Sequence, residues 1–349
     1  MCSINLRLDQ AHARDADSAS LFQSEAWVDL LLQHGLEQPP VRCWRLELPL
    51  RDGSVSTAGG HLHLMRQRES GPLQSLSNYY SGVYGPVWGP DGSAADIDWE
   101  RLGVEMRRLH GSAITELRPL DAEGDFLARI EAGLRRAGYW CDRFFCFGNW
   151  YCPVPVGGFT AYWEQRPSRL RHTVQRARQR LGKAHDWGVE LHVAAGTALD
   201  AAIQAYQDVY RRSWKAAEPR ADFIPALCRL AAEYGWLRLG LLRVDGEVLA
   251  AQLWLVQGGK AYIFKLAYVS GHERLSPGSI LTAHLMEQVM ERDSVAEVDF
   301  LSGDDAYKQD WMSERRERIG LVAFDPRQPR GLAAAARHYA GKWWRAGRT

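Results

Sequence analysis

The segment that follows a strand-like run at residues 298–302 holds four side chains able to move protons or bind anions: Asp304, Asp305, Tyr307 and Lys308. Two adjacent carboxylates in a partly closed cleft raise one another's pKa, which favours a general base. A tyrosine hydroxyl can protonate a departing thiolate or alkoxide, and a lysine can hold a phosphate or a carboxylate. The alternative is a solvated acidic turn in which one aspartate caps the next helix.

Two further groups of basic residues indicate anion binding. Lys265 interrupts an otherwise apolar strand-like segment, YIFKLAY, and a buried lysine requires an acidic partner or an anionic ligand. Residues 169–183 contain six Arg or Lys and no acidic residue, with Arg169, Arg176 and Arg180 on one flank of a helical wheel. Because the net charge of the whole chain is only +1, this segment attracts phosphate, a nucleotide sugar or tRNA, unless it is simply a solvated helix face.

Metal-ligating residues do not form a complete set along the sequence. The six cysteines include no CxxC pair, so reduced and mostly buried thiols are expected. His61 and His63 alternate along a probable strand, which places both imidazoles on one face. No Cys, His or carboxylate at ligand spacing completes a site, and we expect no bound metal.

The composition is that of a folded protein of about two domains, since domains average roughly 150 residues and the chain has 349. Hydrophobic residues make up 46%, and 43 Lys plus Arg stand against 42 Asp plus Glu. These values exclude a disordered chain, and they argue against a globally basic DNA-binding protein. There is no long apolar run and no secretory signal, so we expect a cytoplasmic protein without a transmembrane segment.

The elements that position these residues are those of an α/β fold with a mixed, largely antiparallel sheet flanked by helices. In the second half, a strand, two helices and three strand-like runs precede a helix over 278–292 and two further strands. Asp245-Gly246 and Gly258-Gly259 join the three runs, and such dipeptides supply the positive φ angles of tight hairpins. The first half repeats this order more loosely, which suggests a duplicated domain.

A connector rich in Pro and Gly at residues 150–158 predicts the domain boundary. Residues 1–150 and 151–330 then form two tandem domains, and residues 331–349 form a basic amphipathic C-terminal helix. That helix either lies on a membrane surface or docks its tryptophans, Trp343 and Trp344, on the protein.

Five segments along the chain carry a family resemblance. They are FQSEAW at 22–27, SLSNYYSGVYGPVW at 75–88, FTAYWEQRPSRLRHTVQRARQRL at 159–181, FKLAYVSGHERLSPGSIL at 264–281 and VDFLSGDDAYKQDW at 298–311. Together they resemble the GNAT superfamily of acyltransferases in its tandem form, the FemAB-like and CelD-like proteins. The resemblance implies a sheet that opens in its middle, with an acyl donor in the split and an amine acceptor opposite. It places Lys265 on the wall of the split and makes backbone amides of residues 266–268 the oxyanion donors.

The same resemblance implies a donor-binding loop at residues 274–279. An acyl-CoA donor brings a pyrophosphate, which unpaired backbone amides at the start of a helix can bind. Arg274, Ser276, Gly278 and Ser279 are the ligands that it assigns here. Typical GNAT members carry Arg or Gln before an xxGxG pattern, whereas this chain has Pro277. A Pro-Gly turn that caps the helix is the alternative.

The leading functional hypothesis is an N-acyltransferase in which an amine attacks an acyl-CoA type thioester directly. The chain has no GxSxG motif and no cysteine with an obvious histidine partner, so a covalent route lacks support. The donor is then a co-substrate, no cofactor is tightly bound, and the acceptor is a small-molecule amine or a nucleotide sugar.

Two alternatives remain open. One is a FemAB-type transferase that takes its aminoacyl group from tRNA, and the other is a catalytically silent scaffold of an envelope polysaccharide or biosynthetic pathway. Residues 75–88 bear on the latter, because they offer aromatic rings, including Tyr79 and Tyr80 as candidate substrate contacts, but few ionisable groups. They suggest that the first domain is not catalytic.

Overall fold

A computed structural model describes residues 20–36, 40, 42–53, 59–89 and 92–346. The strands are β1 Arg42–Glu47, β2 His61–Arg66, β3 Leu73–Ser75, β4 Ile114–Asp121, β5 Trp140–Pro153, β6 Trp187–His192, β7 Leu237–Val244, β8 Glu247–Gln257, β9 Lys260–Tyr268, β10 Glu297–Ser302 and β11 Glu314–Phe324. The α-helices are α1 Glu25–Leu30, α2 Trp99–His110, α3 Asp125–Arg136, α4 Gly158–Glu164, α5 Ser168–Ala184, α6 Thr197–Arg211, α7 Phe223–Glu233, α8 Pro277–Glu291, α9 Lys308–Trp311 and α10 Pro329–Ala346.

The chain divides into two compact units. Unit 1 comprises Met1–Phe147 together with Glu317–Thr349, and unit 2 comprises Gly148–Arg316. The first division lies within β5, close to the boundary expected from the sequence. The second lies at residue 316 and not at residue 330, because the end of β11 pairs with β4 of unit 1.

In unit 2 the strands lie in the order β5-β10-β9-β8-β7-β6. Strands β6 to β9 form an antiparallel meander, β10 joins β9 in parallel, and β5 joins β10 antiparallel. Both predicted hairpins are confirmed, since Asp245-Gly246 joins β7 to β8, Gly258-Gly259 joins β8 to β9, and all four residues have positive φ. The parallel step needs a crossover connection, which α8 supplies.

The core of unit 2 contains the apolar stripe predicted for the basic helix. The buried residues of α5 recur every three or four positions: Leu170, Val174, Ala177 and Leu181. They share one hydrophobic cluster with Ile280 and Leu285 of α8. Because one face of α5 is committed to this core, its basic residues are left for the other faces.

Unit 1 repeats the succession of strand directions found in unit 2. Its strands lie in the order β1-β2-β3-β4-β11. Strands β1 to β3 are antiparallel, β4 joins β3 in parallel, and β11 joins β4 antiparallel. The buried residues of α2 and α3 share one apolar cluster with this sheet: Leu102, Met106, Leu127, Ile130 and Leu134. The predicted fold class, two tandem domains with mixed sheets flanked by helices, is confirmed.

The C-terminal helix α10 is attached to unit 1 by polar residues. His338 Nε2 and Lys342 Nζ each lie 2.7 Å from an oxygen of the Asp142 carboxylate on β5. Trp343 and Trp344 are 81% and 57% exposed. The exposure of both indole rings argues against docking through these tryptophans, one of the two interpretations of this segment, and the ion pairs to Asp142 attach the helix to unit 1. Among the described residues, no helix is long and apolar enough to cross a membrane.

Candidate functional site

Strands β9 and β10 pair over only part of their length. Their parallel ladder joins residues 260–262 to residues 297–299. Beyond it β9 continues to Tyr268 and β10 to Ser302, with no further ladder pair in the described part of the chain. The strands thus part after three pairs and leave a split within the sheet of unit 2.

The edge of β9 presents backbone N–H groups to this split. The Val269 N–H donates to the Leu249 carbonyl at 2.9 Å, on the β8 side. Because successive N–H groups of a strand point to opposite edges, those of Leu266 and Tyr268 point away from β8 and toward the split. These two amides belong to the segment that the family resemblance assigned to oxyanion binding.

A buried polar network holds β10 where it leaves β9. The Asp299 carboxylate accepts hydrogen bonds from the Leu301 backbone N–H and the Asn149 amide, both at 2.6 Å. Arg316 donates to Asp299 and, at 2.8 Å, to Glu297. Leu301 has a φ of +53°, and the register of β10 with β5 shifts at this point. Sequence reasoning missed this network, although an aspartate inside an apolar strand was a visible signal.

Lys308 is buried beside the end of β10, with 4% of its surface exposed. Its Nζ donates to the Ser302 carbonyl at 2.6 Å and to the Phe300 carbonyl at 3.3 Å. Desolvation, which opposes the ammonium form, lowers the pKa of Lys308 to about 8. The amine is thus enclosed by the protein instead of forming the exposed phosphate ligand that its sequence context suggested, and it can exchange a proton near neutral pH.

The two neighbouring aspartates have different surroundings. Arg315 donates to both oxygens of Asp304, with Nη2–Oδ2 at 2.7 Å, and the Trp150 indole N–H adds a bond of 2.8 Å. The Arg315 hydrogen bonds are the main cause that lowers the pKa of Asp304, so the expectation that its neighbour raises this pKa is wrong. Asp305 is exposed, and its Oδ2 lies 3.9 Å from Lys308 Nζ.

Tyr307 packs edge-on against Phe300, with ring centres 5.7 Å apart. Desolvation raises the pKa of Tyr307 to about 12. Its hydroxyl therefore remains a proton donor over the ordinary pH range. The structure brings Asp305, Tyr307 and Lys308 together at the end of β10.

The start of α8 lies against the end of β9. Ser276, with a φ of +50°, precedes Pro277 at the first helical position, and no side chain caps the helix. The N–H groups of Gly278 and Ser279 belong to the first turn, where a helix provides no internal acceptor. A Cβ on Gly278 would lie 3.2 Å from the Tyr268 ring, so glycine permits this close approach.

Basic side chains lie near this helix start. Arg180 of α5 donates to the backbone carbonyl of Arg274, and both residues are exposed. Arg176, also exposed, donates to the His172 carbonyl at 3.2 Å. Arg169 instead forms two bonds, at 2.9 and 2.7 Å, with the carboxylate of Asp310. The salt bridge neutralises Arg169, whereas Arg176 and Arg180 keep the basic face of α5.

A cavity of about 460 Å³ lies beside α6 and α7, and Lys215 and Glu218 are among its lining residues. Lys265 reaches Glu218 from β9 at 2.7 Å, so the structure gives this lysine the acidic partner that was one of its two interpretations. Burial lowers the pKa of Lys215, on which the charges of Lys265 and Asp305 also act. The charge of Lys215 in turn lowers the pKa of Lys308, so the cavity and the end of β10 are electrostatically coupled.

The remaining predicted contacts lie in unit 1. Tyr79 is exposed, but only 3% of the surface of Tyr80 is accessible. The two rings are in contact, with centres 4.0 Å apart and planes tilted by 35°. Burial against its neighbours therefore removes Tyr80 from the set of substrate contacts, while Tyr79 remains accessible.

Residues that could hold a metal also lie in unit 1. The ligand atoms of Glu25, His61 and His63 all lie within 4.8 Å of one another. The sequence offered the two histidines without a third ligand, because the carboxylate comes from α1, far from β2 along the chain.

A comparison with protein families matches residues 168–309 to the acetyltransferase (GNAT) domain. The matched part includes β9, α8, β10 and the basic helix. This match covers less than half of the chain and supports a GNAT-like transferase domain over residues 168–309. A comparison of the sequence with curated proteins finds no significant match.

Solved structures extend the likeness to the whole tandem chain. The crystal structure of FemX superposes with a TM-score of 0.60 at 12% identity, covering 93% of this chain and 97% of FemX. The C-terminal domain of a putative lysylphosphatidylglycerol synthetase from Agrobacterium fabrum superposes with a TM-score of 0.58 at 13% identity, covering 94% of this chain and 93% of that domain. L-PGS from Bacillus licheniformis superposes with a TM-score of 0.50 at 10% identity, covering 89% of this chain and 95% of L-PGS. At these identities the likeness is one of fold alone.

Proposed function

We propose that unit 2 transfers an acyl group from an acyl-CoA type thioester to an amine by direct attack. The split between β9 and β10, with the Leu266 and Tyr268 amides on one wall and Lys308 beside the other, is the observation that carries the proposal. The amine lone pair adds to the acyl carbon, and the two amides donate to the oxyanion that forms. Collapse of this intermediate breaks the C–S bond and releases the thiolate.

The donor's pyrophosphate binds at the start of α8. There the free N–H groups of Gly278 and Ser279 and the positive end of the helix dipole favour an anion. Arg180 and Arg274 add positive charge beside this helix start. Phosphate at that position directs the thioester toward the end of β9, since Gly278 approaches Tyr268.

Lys308 takes up the proton that the attacking amine loses. With a pKa of about 8, roughly a tenth of its side chains are neutral at pH 7, which suits a general base near operating pH. Asp305, at 3.9 Å and exposed, passes the proton to solvent. Tyr307, whose pKa is raised to about 12, keeps its proton and donates a hydrogen bond to the departing thiolate, which takes up a proton from solvent.

The acceptor occupies the cavity lined by Lys215 and Glu218. Glu218 is already paired with Lys265 at 2.7 Å, so Lys215 is the group that attracts the acceptor, through an anion. An amine that also carries a phosphate or carboxylate, such as an amino sugar nucleotide, meets this requirement. We therefore propose this class of acceptor.

A second candidate is transfer of an aminoacyl group from tRNA. It is favoured by the basic face of α5, where Arg176 and Arg180 are exposed and residues 169–183 contain no acid. One structural neighbour is described as a lysylphosphatidylglycerol synthetase, a name that implies transfer of a lysyl group. Phosphates of the tRNA backbone would follow α5, and the same split would hold the aminoacyl ester.

Donor binding distinguishes the two candidates. The melting temperature is measured with a non-transferable acyl-CoA analogue and, separately, with tRNA carrying an amide-linked amino acid. A thioester enzyme is stabilised by the analogue, by about 2.7 kcal/mol at a concentration 100 times the dissociation constant. An aminoacyl transferase binds the tRNA, with affinity that falls steeply as salt rises.

Two variants serve as matched probes in this measurement. Gly278→Val places a branched side chain against the Tyr268 ring and abolishes the response to the CoA analogue. Arg176→Gln leaves that response intact and weakens tRNA binding. If neither donor binds the wild type, the transferase proposal fails and the scaffold hypothesis gains support.

A further inference from the structure

Unit 1 contains a cluster of nitrogen and oxygen ligands that the transfer reaction does not use. His61 and His63 lie two positions apart on β2 and are both buried. Their Nε2 atoms are 3.0 Å apart. Glu25 of α1 places Oε1 at 2.9 Å from His61 Nε2 and Oε2 at 3.2 Å from His63 Nε2. We propose that these three residues bind one divalent transition-metal ion of the Zn²⁺ class.

Hydrogen bonds alone do not account for this arrangement. Three close contacts join the ligand atoms, but two neutral imidazoles contribute at most two Nε2 protons. If both protons point at Glu25, two N–H groups face each other across 3.0 Å. If only one Nε2 carries a proton, lone pairs converge instead. A cation at the centre engages all three ligand atoms at once, through the neutral imidazoles that metals prefer.

The spacing of the ligand atoms fits a small metal ion. Ligands held ~2.0–2.1 Å from a tetrahedral Zn²⁺ lie about 3.3 Å from one another. The observed separations are 3.0, 2.9 and 3.2 Å, so small side-chain shifts complete the geometry. Three protein ligands leave a fourth position for water. Glu25 is the partly exposed member, which gives an ion a way in.

The surroundings of the cluster favour a divalent cation. Asp29 follows Glu25 by one helical turn, and Glu47 lies opposite His61 in the β1–β2 register. Arg45 donates to Glu25 and Glu47. Three carboxylates against one guanidinium leave two net negative charges when both imidazoles are neutral.

Glu47 supplies a second, independent observation. Its Oε2 is buried and has no hydrogen-bond partner among the described residues. A buried, unsatisfied carboxylate oxygen is costly unless a ligand or water compensates it. A metal-bound water on the open coordination position would provide that donor, with Glu47 as its outer-sphere acceptor.

A bound ion would join two elements that are distant in sequence. Glu25 belongs to α1, and both histidines belong to β2. Coordination would fix α1 against the sheet of unit 1 without contributing to acyl transfer. The ion is therefore expected to raise the thermal stability of the protein and to leave its affinity for an acyl donor unchanged.

The test uses the full chain, free of any affinity tag and stripped with a chelator. Calorimetric titration with Zn²⁺ should show one ion per chain, and Co²⁺ should give the visible absorption of a low-symmetry nitrogen and oxygen site. Glu25→Gln and His63→Gln should each weaken Zn²⁺ binding by more than the ~10–100-fold loss that follows removal of an outer-sphere partner. Equimolar Zn²⁺ should raise the melting temperature of the wild type but not of these two variants.

His338→Gln is the matched control, because His338 forms a histidine–carboxylate pair with Asp142 in the same unit, at 2.7 Å. It should bind Zn²⁺ as the wild type does. Glu25 is partly exposed, so Glu25→Gln keeps the test valid if a buried histidine variant fails to fold. Absence of stoichiometric binding, or equal affinity in Glu25→Gln and the wild type, overturns the proposal.

Discussion

The parallel strand pairs of the two units have corresponding neighbours but end in different ways. In unit 2 the ladder between β9 and β10 stops after residue 299, and the edge of β9 stays open. In unit 1, β3 and β4 pair at two positions only. Beyond these pairs, serine side chains form the hydrogen bonds between the two segments. Ser75 Oγ and Ser77 Oγ donate to the Arg118 carbonyl at 2.7 and 2.6 Å, and the Arg118 N–H donates back to Ser75 Oγ at 3.0 Å.

The difference shows that strand order alone does not make a transfer site. In unit 1, the hydroxyls of Ser75 and Ser77 form hydrogen bonds with the backbone of Arg118, where β3 and β4 part. In unit 2, the Leu266 and Tyr268 amides face a gap, and Lys308 lies beside it with a pKa lowered to about 8. We infer that unit 2 catalyses the acyl transfer and that unit 1 has the same fold but is not catalytic.

Replacement of Lys308 should have the largest effect on the reaction. Loss of a positioned proton acceptor slows catalysis by about 10²–10⁴-fold. Lys308→Met should therefore reduce kcat/KM by this factor in a steady-state assay. Ser77→Ala, at the corresponding place in unit 1, should leave kcat/KM unchanged. Equal rates for Lys308→Met and wild type would remove the distinction between the units.

The same variant separates a catalytic role from a structural one. Lowering the lysine pKa from 10.5 to about 8 corresponds to a cost of ~3 kcal/mol for keeping the buried ammonium charged. Lys308→Met removes this cost but loses hydrogen bonds worth ~1–2 kcal/mol. Lys308→Met should thus be as stable as wild type or slightly more stable at pH 7. The gain should shrink as pH rises from 8 toward 10.5, because the folded protein then holds a neutral amine. A clear loss of stability would identify Lys308 as a structural residue.

Breaking the network at Asp299 should come next in magnitude. Asp299→Asn keeps the shape of the side chain but leaves the buried Arg316 with Glu297 as its remaining acidic partner. Disrupting a buried ion pair costs about 3–5 kcal/mol, of which Glu297 compensates part. Urea unfolding should show a loss near the low end of this range. A loss below ~1 kcal/mol, the contribution of an ordinary hydrogen bond, would mean that the network does not hold the split.

The pH dependence should show the ionisation of Lys308. A general base must be neutral, so kcat/KM should rise about tenfold per pH unit below 8 and level off above it. The measurement is a pH–rate profile of wild type between pH 6 and 9.5. A profile that falls with rising pH would show that the ammonium form is the active one.

The smallest effects should come from opening unit 1. Ser75→Ala and Ser77→Ala each remove a hydrogen bond to the Arg118 carbonyl, worth about 1 kcal/mol. Chemical denaturation should detect this loss, while turnover stays at the wild-type value. A changed turnover would show that the divergence in unit 1 also takes part in the reaction.

The sequence predicted the parts of the fold that local patterns determine. The hairpins at Asp245-Gly246 and Gly258-Gly259 were predictable because tight turns select residues tolerant of positive φ. The buried stripe of α5 was predictable because helical periodicity places its apolar residues on one face. The end of unit 2 was not, since the pairing of β11 with β4 joins residues distant in sequence.

The candidate site depended more strongly on tertiary contacts. Sequence reasoning found Lys308 and Asp305 but could not foresee that Arg315 would bind Asp304 and lower its pKa. It also missed Asp299, whose role appears only where Asn149 and Arg316 meet it. These partners lie on other strands, so the spacing of residues within one segment does not predict them.

Residue-resolved hydrogen exchange on β9 tests the central claim most directly. The Ala267 amide, which alternation directs toward β8, should be protected at all times. The Leu266 and Tyr268 amides should exchange much faster in the free protein and become protected when a non-transferable acyl-CoA analogue is added. If these two amides are as protected as Ala267 without ligand, the split is closed and the account is contradicted.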